Sequence, residues 1–298
     1  MIAFIFRNST ELCKNLSVKD LLSSPQGTHY VGNIRRRKAT GNIAVTKPVH
    51  VRIISPITTL GFRSDAAVKS LETDGLIVSA TQIAKGPASI ESEYEGAMAA
   101  PDTVARIIEA EREGVDACVI DCMGDPGLRA ARETVSIPVL GPCNTGMHIA
   151  AMLGHKFSVI TIVNRLIAQF ENAAALAGLS SRMASARSVE IPVLELEADM
   201  DRTRKILIDE AQKAVQLDGA HAIIFGCTGL FGCAAAVREG LLQRGIDVPV
   251  IDPIPTAVNI AAGLVRANLS QSERTYPLPP EKAMPGYDMP DLRLNAAE

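Results

Sequence analysis

From Val49 onward, short apolar runs alternate with longer stretches whose apolar residues recur every three or four positions. The first pattern predicts strands and the second amphipathic helices. "VHVRIIS" (49–55) is rich in β-branched residues and stops at Pro56, and "GLIVSAT" (75–81) reads as a second strand. "DTVARIIEAEREG" (102–114) sets Val104, Ile107 and Ile108 on one helical face behind Asp102, which the pattern makes an N-cap. "DACVID" (116–121) and "IPVLG" (137–141) read as buried strands flanking a short helix. The second half runs the same way: strand 156–163, helix 164–179 closing near Gly178, strand 189–196, helix 203–216, and strands 221–226 and 248–252. A final helix follows over 255–269. Strands alternating with helices imply parallel sheets covered on both faces.

The two halves match in register. Gly114, Ala117, Cys122 and Gly124 recur 105 positions later as Gly219, Ala222, Cys227 and Gly229, each set behind an amphipathic helix. "IPVLGP" (137–142) answers to "VPVIDP" (248–253), with an intervening helix six residues longer in the second copy. The expected architecture is an α/β fold of two pseudo-symmetric lobes, each a mostly parallel sheet flanked by helices, with the active site in the cleft between them. The expected division is a first lobe over 48–145 plus 250–270 and a second over 146–249. A basic extension (1–47) precedes them and a Pro-rich, extended tail (271–298) follows.

Composition narrows the partners. Apolar residues make up 47% and aromatics only 4%, with no Trp, which argues against stacking platforms for single-stranded nucleic acid. A net charge of -3 gives no basis for a polyanionic partner, so a small molecule is expected and nucleic acid is not. Residues 1–47 alone carry +6, including "RRRK" at 35–38; a transit peptide or a nuclear or nucleic-acid patch would have such a composition, but a solvated or poorly ordered leader is the expected reading. Six scattered cysteines lack the spacing of a disulfide scaffold and fit a reducing cytoplasm. No apolar run reaches the ~18 residues of a membrane span, so no membrane association is expected. Homo-oligomerisation stays open.

Ligands of parallel sheets bind beyond the carboxyl ends of the strands, where helix N-termini present free N–H groups. Cys122 and Cys227 both fall there. After Cys122, Asp125 is placed to cap the next helix, with Pro126 at its first position; after Cys227, Thr228 and Gly229 take the similar part. Such N–H groups favour a thiolate and can hold an enolate oxygen. A thiolate facing a thiol can remove a proton from one face of a carbon acid and return one to the other, inverting the stereocentre without a cofactor. The plainer reading, a cysteine as a small buried hydrophobe, is kept for Cys118, Cys143 (in a loop after Pro142) and Cys233. His221 is expected to pack rather than ligate. No C-x-x-C or H-E-x-x-H points to a metal, and no G-x-x-x-x-G-K-[ST] or G-x-G-x-x-G points to ATP or NAD.

Four stretches, "GPASIESEYEGAMA" (86–99), "CMGDPGL" (122–128), "PVLG" (138–141) and "GCTGL" (226–230), make the chain resemble the aspartate/glutamate/hydantoin racemase superfamily over roughly residues 49–269. The resemblance is nearest to the hydantoin and allantoin racemase branch. It implies a cofactor- and metal-free racemase or epimerase in which Cys122 and Cys227 are acid and base, acting beside a carbonyl on a 5-substituted hydantoin or allantoin. It further implies that Ser55, Ser79, Asn164, Thr228 and Gly229 hold the substrate. Where hydantoin racemases commonly carry N-P-N-T-[ST], this chain has "SPITT" (55–59), a departure that bears on the substrate rather than on the two cysteines. The alternatives are a two-cysteine isomerase or decarboxylase of a small dicarboxylate, or a non-catalytic small-molecule-binding protein.

Overall fold

The computed structural model describes residues 47–196, 198–280, 282–287 and 289–290. The extension expected over 1–47 lies outside these residues except for Lys47, as does Cys13. Two four-stranded parallel sheets make the framework. The first, in the order β2-β1-β3-β4, joins β1 (Val49–Ser55), β2 (Leu76–Gln82), β3 (Ala117–Ile120) and β4 (Val139–Leu140). The second, in the order β6-β5-β7-β8, joins β5 (Phe157–Thr161), β6 (Met183–Ser188), β7 (Ala222–Phe225) and β8 (Val250–Ile251). The repeat seen in sequence is therefore a repeat in space: β3 and β7 are inner strands of equivalent sheets, and each begins at the matched alanine.

Burial explains which runs became strands. β3 and β7 are buried at every position and read as continuous apolar runs, as inner parallel strands do. In β1, Val49, Val51 and Ile53 pack against α1 (Asp65–Lys69) and α8 (Pro253–Arg266), while Ile54 joins α2 (Glu93–Arg112) and α3 (Leu128–Thr134) on the other face. Each such isoleucine, fully removed from water, stabilises the fold by roughly 1.5–3 kcal/mol. The second core gathers Phe157, Phe170 and Phe225 with α5 (Ile167–Leu176), α6 (Met200–Gln216) and α7 (Ala234–Leu242). Helix α4 (Pro142–Leu153), which follows the first sheet, sends Met147 and Ala150 into this second core. Helix α8, which follows the second sheet, lies under the first. The lobes thus exchange helices, and α4 packs against α8.

Three expectations change. The helix read from Asp102 begins at Glu93 behind Ser92, whose side chain accepts from the Glu95 N–H; it continues through Pro101. Asp102 instead accepts from the N–H groups of Ala84 and Lys85. The strand expected at 189–196 is displaced to Met183–Ser188, because Glu190 takes a left-handed φ of 55° and Pro192 brings no N–H to a ladder. Cys143 is not in a loop but in the first turn of α4, a helix that the Gly- and Asn-containing "PCNTGM" concealed. The tail turns back over the first lobe: Gln271 bonds the carbonyls of Val135 and Ile137, and Tyr276 OH accepts from Arg132.

Candidate active site

Both cysteines stand two residues past the end of an inner strand, Cys122 after β3 and Cys227 after β7. Each sulfur accepts a hydrogen bond from the backbone N–H two residues on: Gly124 to Cys122 Sγ at 3.4 Å and Gly229 to Cys227 Sγ at 3.3 Å. The glycines leave room around both sulfurs. A Cβ at position 124 would lie 2.7 Å from the Gln169 side chain, and one at 229 would press on Leu196 and the sulfur itself. The two turns face one small cavity of about 40 Å³ between the lobes. Its walls are mostly apolar (Ile57, Phe62, Ile90, Ile162, Phe170 and Val193), with Asp121, Gln169 and Thr228 as polar members. The Val193 N–H donates to Glu91 Oε1 at 2.9 Å across the cleft.

Burial dominates the electrostatics of both thiols. Cys227, 7% exposed, is pushed up to about 12 by burial; the Gly229 N–H pulls the other way, Asp121 adds to the rise and Arg63 opposes it. Cys122, half-buried, is also raised, first by burial and then by the negative charge that Cys227, Asp125 and Asp121 can bring, against the Gly124 N–H. The expectation that N–H groups would leave a ready thiolate is thus reversed in the closed cleft. One N–H bond per sulfur does not offset the lost water.

The turn after Cys122 is built differently from the sequence reading. Asp125, with a left-handed φ of 47°, does not cap α3; Gly127 stands at that helix start. Its carboxylate reaches across to α4 and accepts from the N–H groups of Cys143 at 3.0 Å and Asn144 at 2.8 Å. Gly141 makes this fit, because a Cβ there would lie 2.2 Å from the Asp125 carboxyl carbon. Burial raises Asp125 to about 7 despite these bonds. In the second half the tie is reversed: the turn supplies the Gly232 N–H and the helix start supplies Asp252, joined at 2.7 Å.

Of the other expected site residues, Thr228 lines the cavity and Gly229 serves Cys227. Ser55 donates to Asp121 Oδ2 at 3.1 Å. Ser79 sits part-way along β2, bonded to His50 and Arg52, and Asn164 is exposed; neither lines the cavity. Cys118, Cys143 and Cys233 are buried, and His221 is exposed just before β7. Two residues went unforeseen. Asp121 precedes Cys122, and an acid closing a buried strand was a visible signal. Arg63, 58 positions away on the loop after β1, had none. Its Nε and Nη2 donate to the two Asp121 oxygens at 2.9 and 2.7 Å, and Nη2 also donates to the Thr228 carbonyl at 3.0 Å.

Among the described residues, no group of three or more His, Cys, Asp and Glu could hold a metal ion, and no helix is long and apolar enough to cross a membrane.

The Asp/Glu/Hydantoin racemase family model matches residues 52–261. A hydantoin racemase of Rhizobium meliloti is 36% identical over 245 residues, covering 80% of this chain and 98% of that protein. One from Pseudomonas sp. (strain NS671) is 35% identical over 239 residues, covering 79% and 94%. The solved allantoin racemase from Klebsiella pneumoniae superposes with a TM-score of 0.74 at 31% identity, covering 80% of this chain and 96% of its own.

Proposed function

We propose that this chain, which belongs to the Asp/Glu/hydantoin racemase family, inverts a stereocentre next to a carbonyl, with Cys122 and Cys227 as the acid–base pair. The substrate class is the one its relatives' names carry: a 5-substituted hydantoin or allantoin. The observation that supports this best is the doubled sulfur geometry. Two thiols on facing turns of one cavity each take a backbone N–H from the residue two places on.

In the reaction, the thiolate of one cysteine takes the proton from the substrate carbon and leaves an enolate, whose oxygen an N–H at a strand end can stabilise. The thiol on the opposite wall then gives its proton to the other face. The carbon is inverted, the two sulfurs have exchanged protonation states, and no electron has been gained or lost. A cavity of about 40 Å³ holds roughly one water, so the walls must part to admit a five-membered ring. That opening also relieves the burial that keeps both thiols protonated.

The test is racemisation of single enantiomers of a hydantoin panel and of allantoin, followed by optical rotation, in the wild type and in Cys122→Ser and Cys227→Ser. Loss of racemisation in both variants with retained fold supports the pair; full activity in either one contradicts it. A parallel arm with an arylmalonate and a maleate reads out decarboxylation and cis–trans isomerisation.

A further inference from the structure

Asp121 and Arg63 form a charge pair sealed inside the molecule, their side chains 0% and 4% exposed. Removing two charges from water costs more than most ion pairs return, so stability alone is a weak reason for such a pair. Its position offers a better one. Asp121 is bonded covalently to Cys122, and Thr228, whose carbonyl Arg63 holds, is bonded covalently to Cys227. A second bond runs beside the first, from Thr228 Oγ1 to the Asp121 carbonyl at 3.1 Å. Ser55, at the end of β1, occupies another side of the same carboxylate. The guanidinium stands 4.7 Å from the Phe231 ring centre and 5.6 Å from that of Phe62, so aromatic faces restrict its plane as well.

We propose that Arg63 is a positioning residue for the racemase: its fork holds the Cys122 and Cys227 turns at a fixed separation and orientation across the cleft. The inference rests on the two-cysteine reading. Arg63 does not line the cavity and touches no reacting atom; it acts through Asp121 and Thr228. A lysine keeps the charge but loses the two-pronged grip and the plane that the rings restrain. Displacing a catalytic group by about 1 Å is enough to lower turnover by about 100-fold.

The test separates alignment from stability. Arg63→Met alone leaves Asp121 buried without its partner, and its melting temperature should drop by several degrees. Arg63→Met/Asp121→Asn removes both charges and should regain most of that loss. If Arg63 aligns the turns, the double variant still shows kcat lowered about 10- to 100-fold, with KM changed less than about three-fold, and Arg63→Lys restores only part of kcat. A readout free of substrate accompanies it: bridging of Cys122 to Cys227 by dibromobimane, mapped by peptide mass. Bridging should fall several-fold in the double variant while the single thiols stay alkylable. A double variant with wild-type kcat and bridging overturns the proposal, whatever its melting temperature. Absence of racemisation in the wild type would instead count against the functional reading and leaves the bridging comparison intact as the test of Arg63.

Discussion

The Cys122 turn and the Cys227 turn share a backbone but not a charge environment. Both carry a sulfur two residues past an inner strand, an N–H from the second residue on, and a glycine with left-handed φ five residues after the cysteine (75° at Gly127, 79° at Gly232). Around Cys122 stand Asp121 and Asp125; the equivalent positions around Cys227 are Gly226 and Leu230. Gly226 has no alternative, since a Cβ there would meet Thr161 at 2.8 Å. The Arg63 charge is among the main influences that ease ionisation of Cys227, whereas around Cys122 the leading charges are Cys227, Asp125 and Asp121, which oppose it. The repeat thus sets two sulfurs in the same backbone geometry, and the flanking residues give them unequal surroundings; on the two-cysteine proposal Cys227, with fewer carboxylates beside it, is expected to ionise first.

The sharpest way to break this comparison is to remove one carrier. Cys122→Ser and Cys227→Ser should each lower kcat by roughly 1,000-fold or more, since each removes one of two obligatory proton transfers. The inequality is read from the sulfur that remains: with Cys13 also replaced by serine, thiolate absorbance should rise at lower pH for Cys227 in Cys122→Ser than for Cys122 in Cys227→Ser, with the buried Cys118, Cys143 and Cys233 silent. Because burial raises both thiols, kcat/KM of the wild type should climb from neutral into alkaline pH.

The ties to the following helices come next in size. Asp125→Ala strips two hydrogen bonds from the start of α4 and should cost about 1–2 kcal/mol in urea unfolding. Asp252→Ala removes the tie to Gly232 at the start of α8 and should cost less. A pH series sharpens the contrast. Asp125 is raised from 3.8 to about 7, so the folded chain keeps a proton that the unfolded chain has lost. Its contribution to stability is therefore present below pH 3.8 and is lost as pH rises through about 7. Relative to Asp125→Asn, which cannot ionise, the wild type should lose stability across that window. For Asp252, raised to about 6, the same loss should end about one pH unit earlier. The smallest effects belong to Ser79→Ala and Asn164→Ala, which lie off the cavity and should leave kcat/KM within about two-fold of the wild type.

What the sequence showed of this molecule was its local and repeated content. Continuous apolar runs mark β3 and β7, and identical spacing pairs Cys122 with Cys227. What it hid depends on partners distant along the chain. Asp102 and Asp125 have the composition of N-caps for the helices that follow them, yet both carboxylates reach other segments. "VEIPVLEL" has strand composition, but one left-handed residue at Glu190 breaks the pleat. Arg63 finds Asp121 and Thr228 only once both sheets are folded. The reversal of the thiol pKa has the same origin, because burial is a property of the closed cleft and not of the turn.

The isotope distribution in deuterated water tests the two-cysteine account most directly. Starting from one pure enantiomer and sampling early in the reaction, the inverted product should carry solvent deuterium at the stereocentre while the remaining substrate stays unlabelled. That pattern follows from one wall taking the proton and the other, already exchanged with solvent, giving back deuterium. Label entering the unreacted enantiomer as fast as the product forms would mean that a single group serves both faces, and would contradict the account.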